Sequence, residues 1–372
     1  MKIVQTPVRF PPYIGGTEKV AFYLSKELIK KGHDVKVICA DEPAVGSARI
    51  EGIDVCRLPF IGKVANSNIT LALFNQLMKE DFDILHTHLP HPWSADISAI
   101  VAMLKNKPLF LTYHNDIFGR GINKFIANVY NFSALKFLLK KAHKIFITSD
   151  GYRQKSSFLK PFDNKIITAP LGVDLEEFRA VNLDEVKKEN IIFFMSKLDK
   201  FHKYKGLDCL LASVRKAIKK VPLKLYIGGE GELIEYYKNI VKDYGLGDVV
   251  RFLGYLDDEQ LIKNYNLCDI FVLPSISATQ EGFGLVTLEA MACKKPVVVT
   301  DLVGVADDVK NSSAGIVVAP KDSDSLAQSL VYLIENDEER HLRGENAFRL
   351  VRQKYRWDKH VDIVEGEYLK IA

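Results

Sequence analysis

The stretch that decides the fold is Glu281-Gly282-Phe283-Gly284-Leu285-Val286-Thr287-Leu288-Glu289-Ala290-Met291-Ala292. The mostly apolar run at 268–273 precedes it and predicts a buried strand. Pro274 ends that strand and opens a loop, and from Leu285 onward good helix formers predominate. The order strand, loop, helix N-terminus is typical of an α/β nucleotide-binding fold.

The residues of this stretch suit a particular ligand. A helix start collects unpaired N–H groups and the positive end of the helix dipole, which favours a phosphate. Gly282 and Gly284 let the backbone approach a ligand closely. Glu281 and Glu289 are carboxylates that accept hydrogen bonds from paired hydroxyls. The combination suits a sugar joined to a nucleoside diphosphate, although a buried helix with a solvated Glu281 accounts for the same residues equally well.

The stretch resembles the motif of two glutamates separated by seven residues in the retaining nucleotide-sugar glycosyltransferases of family 4, group 1 type. That family has the GT-B fold, which is two Rossmann-like domains with an interdomain cleft. The resemblance implies that Glu289 holds the nucleotide ribose and that Glu281 lies near the donor sugar. The backbone N–H groups implied to face the sugar and diphosphate belong to Phe283, Gly284, Leu285 and Val286.

The totals fit this interpretation. A chain of 372 residues predicts two domains, and its 47% hydrophobic content is that of a globular protein. No apolar run reaches the roughly 18 residues of a membrane span, and the first residues lack the apolar core expected of a signal peptide. The five scattered cysteines indicate reduced core residues, so we expect a cytoplasmic protein. The net charge of +4 gives no reason to expect nucleic acid.

Alternating strands and helices in the first half predict a parallel sheet covered on both faces. Gly15 and Gly16 open a helix predicted at 17–31, directly after the first strand. A glycine pair at this point is common in phosphate sites, but a tight turn without a ligand is equally consistent with it. The resemblance places the pair near the donor phosphates and the acceptor. The other strands expected in this half are at 34–40, 83–88, 108–114, 143–148 and 165–169.

Histidines lie where two of these strands end. His114 matches the strand-end histidine of the family, which contacts the donor sugar, and Asp116 is implied to orient the loop or touch the acceptor. For His86 we expect a hydrogen-bonded structural role. His88, His91 and His114 match no standard zinc spacing, so no metal is expected there. The run Asp81-Phe82-Asp83 precedes a strand, on the side away from the ligand edge, and is interpreted as structural.

The segment from Ile117 to Ser149 has no acidic residue, and apolar residues alternate with its cations. A basic amphipathic helix of this kind binds an anionic bilayer, each cation contributing on the order of 1 kcal/mol. The alternative is a core-packed helix with a solvated basic edge. The cations are Arg120, Lys124, Lys136, Lys140, Lys141 and Lys144.

A second strand-and-helix series begins at 191. Lys197 stands where the family has arginine, and Lys205 matches its second basic residue; together they are implied to bind the diphosphate without a metal. Gly229 and Gly254 follow two further strands, where a base and ribose could lie against the backbone. Gly304 stands alone where the family often has paired glycines.

The sequence therefore predicts an α/β chain with an acceptor-side domain at 1–172, joined by the C-terminal helix at 357–372, and a nucleotide-sugar domain at 173–356. The expected activity is a retaining hexosyltransferase with Glu281, His114 and Lys205 as catalytic residues and no cofactor. Its partners would be a nucleotide sugar and an acceptor glycan or lipid-linked sugar, with peripheral contact to an anionic membrane. The alternatives are an epimerase or phosphorylase on the same fold, or a non-catalytic nucleotide-sugar-binding protein.

Overall fold

A computed structural model describes residues 1–13, 15–64, 66–117, 122–181, 189–277 and 280–371, without the side chains of 122–124 and 126. The chain divides into two compact units. The first unit comprises Met1–Leu171 together with Trp357–Ala372, and the second comprises Gly172–Arg356.

The first unit alternates strands and helices along most of its length. Its elements, in chain order, are β1 (Lys2–Thr6), α1 (Gly16–Lys30), β2 (Asp34–Ala40), β3 (Ala48–Ile50), β4 (Ile53–Leu58), β5 (Lys63–Val64), β6 (Ser67–Asn68), α2 (Leu73–Lys79), β7 (Ile84–Leu89), α3 (Pro92–Leu104), β8 (Leu109–Tyr113), α4 (Ile122–Phe132), α5 (Ala134–Lys141), β9 (Lys144–Ile147), α6 (Asp150–Lys155) and β10 (Ile166–Thr168).

Within the described residues, the main sheet of this unit has the strand order β10-β9-β8-β7-β1-β2-β4-β3. All neighbours are parallel except β3, which pairs antiparallel with β4 at the edge. The strands β5 and β6 form a separate antiparallel pair. The predicted parallel sheet is thus confirmed, whereas the strands β3 to β6 were not predicted.

Alternate residues of the strands enter two separate hydrophobic clusters, which shows that the sheet is covered on both faces. Phe110 and Phe146 lie in one cluster, while their neighbours Leu111 and Ile145 lie in the other. This alternation follows from the two-residue period of a strand.

The C-terminal helix of the chain packs on the first unit. Its Tyr368 packs edge-to-face against Phe110, with ring centroids 4.6 Å apart. Glu365 of the same helix accepts hydrogen bonds from Lys31 and His33 at 2.8 and 2.7 Å, beside the end of α1. These contacts assign residues after Arg356 to the first unit even though the second unit precedes them in the sequence.

The second unit contains a fully parallel sheet with the order β13-β12-β11-β14-β15-β16. Its elements are β11 (Ile191–Met195), α7 (Leu207–Ala217), β12 (Lys224–Gly228), α8 (Ile234–Asp243), β13 (Val250–Gly254), α9 (Asp258–Leu267), β14 (Ile270–Leu273), α10 (Leu285–Ala292), β15 (Val297–Thr300), α11 (Ala306–Asn311), β16 (Gly315–Val318), α12 (Ser323–Glu335) and α13 (Asp337–Lys354); α14 (Trp357–Tyr368) is the C-terminal helix of the first unit.

The central strands of this sheet are apolar throughout because helices cover both of their faces. Phe193 of β11 is fully buried and packs edge-to-face on Tyr265 and Phe271, with centroids 5.4 and 6.0 Å away. In a parallel sheet all carboxyl ends lie on one edge, so the loops after β11, β14 and β15 meet there. The α/β fold class predicted from the sequence is confirmed.

One predicted element is corrected. The basic segment is not a single amphipathic helix, because α4 ends at Phe132 and α5 begins at Ala134; Lys144 lies on β9, within the strand predicted at 143–148. The Ser133 hydroxyl donates to the Val129 carbonyl at the junction, 2.7 Å away. Arg120 and the Lys124 side chain lie outside the described residues. Among the described helices, none is long and apolar enough to cross a membrane.

Candidate functional site

A buried ion pair marks the ligand edge of the second sheet. Lys205 Nζ donates to both carboxylate oxygens of Glu281, at 3.1 and 2.8 Å. The Ser275 hydroxyl donates to the same carboxylate at 2.6 Å. The Glu281 side chain is 2% exposed and that of Lys205 is 15% exposed, so both partners are largely buried and the lysine is the more accessible of the two. Two segments distant in sequence, the one at Lys205 and the loop from Ser275 to Glu281, therefore meet at one carboxylate.

The charge of this pair is fixed by its surroundings. Burial by itself lowers the pKa of Lys205, but the Glu281 carboxylate and the Tyr204 hydroxyl together raise it above the ordinary lysine value. Lys205 is consequently a cation throughout the neutral pH range. A partly accessible cation beside a buried carboxylate can bind an anion without a change of protonation.

Two glycines with positive φ start the helices beside this pair. Gly206 (φ 83°) precedes α7, and a Cβ there would lie 2.0 Å from the Pro274 carbonyl oxygen. Gly284 (φ 89°) precedes α10, and a Cβ there would lie 2.9 Å from Val303. Other residues at these positions would be strained in conformation and would collide with neighbours. The glycines therefore bring two helix N-termini, with their unpaired N–H groups, to the ion pair.

The residues around Gly284 have distinct environments. Gly282, Leu285 and Val286 are half-buried, whereas Phe283 is buried and packs edge-to-face on Tyr355 with centroids 5.7 Å apart. The hydroxyl of Thr287, in the first turn of α10, is fully buried and has no hydrogen-bond partner within the described residues. An unpaired hydroxyl is costly to bury, which distinguishes this helix start from ordinary core.

Glu289 lies one turn further along α10 and is held separately. Its Oε2 accepts a hydrogen bond from the Tyr265 hydroxyl at 2.8 Å. Burial, reinforced by the Glu289 carboxylate, raises the pKa of Tyr265 far above its ordinary value, so the tyrosine remains a donor. The hydroxyl residues Tyr265 and Ser275, which orient the two glutamates, were not found from the sequence because no motif marks them.

The strand-end glycines also come together. The Gly229 N–H donates to the Gly254 carbonyl at 2.7 Å. Gly229 has φ 115°, and a Cβ there would lie 1.8 Å from the carbonyl oxygen of Ser196, the residue before Lys197. The Lys197 side chain is exposed. Gly229, Gly254 and Lys197 thus share one region at the ends of β11, β12 and β13.

In the first unit, Gly15 and Gly16 begin α1, as predicted. The space beside Gly15 is filled by the Glu18 carboxylate, which would lie 2.2 Å from a Cβ at that position. Glu18 also accepts a hydrogen bond from the buried Arg9 at 3.2 Å. The helix start therefore already contains an anion, which the sequence analysis did not anticipate.

His114 and Asp116 lie in the loop after β8. Asp116 Oδ1 accepts hydrogen bonds from three hydroxyls, those of Tyr113 at 2.8 Å, Tyr152 at 2.9 Å and Ser156 at 2.7 Å. This arrangement fits the loop-orienting role implied for Asp116, while contact with an acceptor stays a prediction. His114 Nε2 lies 3.4 Å from Nδ1 of His88.

The other histidines are held by protein groups. His86 bonds the Tyr368 hydroxyl through Nδ1 and the Thr112 hydroxyl through Nε2, the latter at 2.7 Å.

The two aspartates of the Asp81-Phe82-Asp83 run both bind Lys2. Asp81 accepts from its side chain and Asp83 from its backbone N–H. In the described part of the chain, no group of three potential ligands could hold a metal ion.

Comparison with known proteins gives the family. A model described as Glycosyltransferase Family 4 matches residues 14–177, and one described as Glycosyl transferases group 1 matches residues 176–350. The O-antigen chain mannosyltransferase C of Escherichia coli is 26% identical over 368 residues, covering 96% of this chain and 95% of its own length.

Two further proteins extend the comparison. A phosphatidyl-myo-inositol mannosyltransferase of Mycolicibacterium smegmatis is 26% identical and covers 92% of this chain and 86% of its own. The structure of Anabaena HepE in complex with UDP has a TM-score of 0.79 at 17% identity and covers 100% of both chains. The fold and the two matching family models identify the protein as a glycosyltransferase. The chain belongs to family 4 of the group 1 glycosyltransferases, which have the GT-B fold of two Rossmann-like domains.

The Lys205–Glu281 pair predicts an unequal effect of removing either partner. Lys205→Met should destabilise the second unit by about 3–5 kcal/mol, because it leaves a buried carboxylate without a counterion. Glu281→Gln should cost less, because the Lys205 side chain is the more exposed of the two and the amide oxygen can still accept its hydrogen bond. A double-mutant cycle measured by urea unfolding and circular dichroism should show the double variant to be more stable than additivity predicts.

The tryptophans provide the control for this cycle. Trp93 and Trp357, the two in the sequence, both belong to the first unit. Their fluorescence transition should be unchanged in all three variants. Strictly additive losses in the cycle would show that the two side chains do not interact in solution.

The buried histidines predict acid sensitivity of the first unit. Burial, followed by the charges of nearby groups, lowers the pKa of His86, His91 and His114 from 6.5 to about 3. The unfolded chain then binds protons below about pH 6.5 that the folded chain does not, so stability should fall as the pH drops from 6.5 toward 3. Each histidine adds up to about 1.4 kcal/mol per pH unit.

Urea unfolding followed by tryptophan fluorescence between pH 8 and 5 measures this slope. The variant His91→Asn removes one titrating group and should lower the slope by about one proton. A stability that is constant or rises as the pH falls from 7 to 5 would contradict the neutral state of these histidines.

Proposed function

We propose that this glycosyltransferase moves a sugar from a nucleotide-sugar donor to an acceptor hydroxyl with retention of the anomeric configuration. The observation that carries the proposal is the partly accessible Lys205 cation, held by Glu281 beside the glycine-started helices α7 and α10. Such a site suits a diphosphate next to a sugar. Anabaena HepE, which has the same fold, was solved in complex with UDP and with UDP-glucose.

In this proposal the donor is held mostly by groups that the sequence already indicated. The diphosphate binds Lys205, Lys197 and the N–H groups from Phe283 to Val286. The ribose hydroxyls bind Glu289, which Tyr265 orients, and the base lies against Gly229 and Gly254. No metal is required, because the cations and the helix N-terminus balance the phosphate charge.

The chemistry follows from the same groups. When the bond between the sugar and the diphosphate breaks, negative charge develops on the leaving phosphate, and Lys205 lies where it can stabilise that charge. Glu281 then lies beside the sugar as the carboxylate nearest the reacting carbon. His114, in the first unit, contacts a sugar hydroxyl.

The acceptor side is proposed to meet a membrane. On α4 and α5 the side chains of Phe125 and Phe132 are 74% and 86% exposed, and Val129 and Phe137 are also exposed. Lys136, Lys140 and Lys141 are exposed on the same pair of helices. Apolar side chains combined with cations suit an anionic bilayer surface.

A membrane surface makes a lipid or lipid-linked glycan the favoured acceptor. The relative from M. smegmatis is, by its name, a mannosyltransferase of phosphatidyl-myo-inositol. An epimerase would interconvert the donor without an acceptor, a phosphorylase would cleave a glycan with phosphate, and a protein that only binds would do neither. Incubations with donor alone and with glycan plus phosphate therefore separate these alternatives.

The donor site is tested by binding. A thermal-shift panel of nucleoside diphosphates and their sugars identifies the donor, since a ligand at 100 times its Kd stabilises the fold by about 2.7 kcal/mol. With that donor, Glu289→Gln should weaken binding of both the free nucleoside diphosphate and the nucleotide sugar by roughly 10-fold or more. Glu281→Gln should chiefly reduce turnover. Isothermal calorimetry and initial rates measure the two effects.

The matched control is Tyr265→Phe, which removes only the hydroxyl that orients Glu289 and should cause a smaller loss of affinity than Glu289→Gln. Equal losses for both ligands in the Glu281 and Glu289 variants would refute the division of roles. The anomeric configuration of the product, read by NMR coupling constants, decides between retention and inversion.

The membrane surface is tested by vesicle co-sedimentation. Binding should require anionic lipid and weaken as salt rises, because the Debye length is about 8 Å at physiological ionic strength. The triple variant Lys136→Glu, Lys140→Glu, Lys141→Glu should lose vesicle binding and keep donor affinity. Phe132→Ser should also reduce vesicle binding, because the insertion of apolar side chains contributes.

The control has the same change in net charge elsewhere. The triple variant Lys219→Glu, Lys220→Glu, Lys263→Glu alters exposed lysines of the second unit and should bind vesicles like the parent. Equal recovery of the parent on neutral and anionic vesicles, or none on either, would reject the membrane surface and favour a soluble acceptor.

A further inference from the structure

Buried polar groups in the first unit form a series of hydrogen bonds in which each donor and acceptor can be assigned. It starts on α1, where the Ser25 hydroxyl donates to the Ala21 carbonyl at 2.8 Å. Having used its single hydrogen there, Ser25 must accept from its other partner, Gln5 Nε2, at 2.7 Å. Both side chains are fully buried. The Gln5 amide is therefore fixed with Nε2 toward Ser25 and Oε1 on the opposite side.

The direction continues into the histidines. Gln5 Oε1 lies 3.1 Å from Nε2 of His88, and because a carbonyl oxygen only accepts, His88 Nε2 carries a hydrogen. Burial, followed by the neighbouring histidines, lowers the pKa of His88 well below 6.5, so the ring is neutral and has only that one hydrogen. Its Nδ1 is then an acceptor.

The acceptor on His88 determines the state of His114. His114 Nε2 is 3.4 Å from His88 Nδ1 and must donate to it. His114 is also neutral, with a pKa lowered to about 3 mainly by burial, so its Nδ1 has no hydrogen. The hydrogen bond that the His114 ring makes within the described residues uses Nε2, and none there involves Nδ1. The last group in this series of hydrogen bonds is thus the Nδ1 lone pair of His114, which is available to a ligand.

Ring packing keeps the geometry in place. His88 stacks on His86 with centroids 4.9 Å apart and on His114 with centroids 5.7 Å apart. The His114 N–H donates to the Leu89 carbonyl at 3.2 Å, which fixes the backbone of the loop to β7. Neither ring can turn without breaking a hydrogen bond and a stacking contact.

We propose that Gln5 and His88 are positioning residues that hold His114 in the Nε2–H tautomer, so that its Nδ1 accepts a hydrogen bond from a hydroxyl of the sugar substrate. The sugar contact rests on the function proposed above, whereas the tautomer is a property of the protein alone. The proposal also limits specificity: the recognised group must donate a hydrogen, so fluorine or a methyl ether at that position should not be accepted.

The tautomers are measured directly by long-range nitrogen–proton NMR on the full chain labelled with 15N-histidine, without ligand. The spectra should show both His88 and His114 as Nε2–H tautomers, with assignments from the variants His88→Gln and His114→Gln. A hydrogen on Nδ1 of His114 in the parent protein would overturn the proposal.

Two substitutions of Gln5 test whether this residue determines the donor and acceptor nitrogens of His88 and His114. Gln5→Glu places a carboxylate against His88 and favours its protonated form, whose Nδ1–H donates to His114. His114 should then switch to the Nδ1–H tautomer. Gln5→Met keeps a similar volume without a polar group and should give His114 as a mixture of tautomers. A single unchanged Nε2–H tautomer in both variants would show that Gln5 does not set the direction.

Kinetics with the nucleotide sugar from the thermal-shift panel separate this proposal from the function on which it rests. Gln5→Glu and Gln5→Met should lower kcat/KM by roughly 3- to 10-fold, the range for one neutral hydrogen bond. His114→Asn, which retains an acceptor near the Nδ1 position, should be more active than His114→Gln. If the tautomers switch as expected while all rates stay unchanged, the sugar contact of His114 is wrong and the tautomer assignment stands.

Discussion

The ligand edge of the second unit is organised by one interaction, the ion pair of Lys205 and Glu281. Lys205 follows β11, Ser275 follows β14, and the Thr300 hydroxyl at the end of β15 donates to the Ser275 carbonyl at 2.7 Å. The segments after β11 and β14 are thereby joined at the Glu281 carboxylate, and the end of β15 is joined to them through the Ser275 carbonyl. A buried ion pair is seldom the most stable solution, because apolar residues of the same volume often do as well. Its presence at the ligand edge is better explained by the ligand than by the stability of the fold.

The first unit fixes the positions of His86, His88 and His114 with hydrogen bonds between neutral groups rather than with an ion pair. Its polar interior around β1, β7 and β8 is neutral, and order comes from the direction of hydrogen bonds. His86, His88 and His114 are kept without charge by burial, so each ring has one donor and one acceptor nitrogen. A protonated histidine ring carries a hydrogen on both nitrogens and has no acceptor. A neutral ring in a directed series of hydrogen bonds has one defined donor and one defined acceptor nitrogen.

Much of the fold could be predicted because its strands are continuous apolar runs in parallel sheets. The strand β2 was predicted with the bounds that the structure gives, and most of the other predicted strands differ by one or two residues at an end. The strand β4 was missed because Asp54 and the buried Arg57 interrupt its apolar pattern. The strand β16 was also missed; its four-residue run begins with a glycine, which is disfavoured in strands.

The site was only partly predictable for a different reason. Glu281 and Lys205 were singled out by motif and charge, but they are 76 residues apart, and sequence spacing does not reveal that they pair. Tyr265 and Ser275 act through single hydroxyls, and Gln5 through one amide. Such residues are common in any core, and their role exists only once the strands are aligned.

The contrast between two helix starts completes the argument for where a phosphate binds. Both α1 and α10 begin at glycines after a strand and a loop, which is the pattern of a phosphate site. The first turn of α1, however, contains Glu18, whose carboxylate is buried beside Gly15 and paired with Arg9. An anion of the protein already occupies that dipole end, and a phosphate would have to displace it or share it. The first turn of α10 has no acidic residue of its own, and the Glu281 carboxylate before it is paired with Lys205, whose side chain is 15% exposed against 1% for Arg9. Electrostatics therefore favours α10 over α1 for the diphosphate, although the glycine patterns in the sequence look equally suitable.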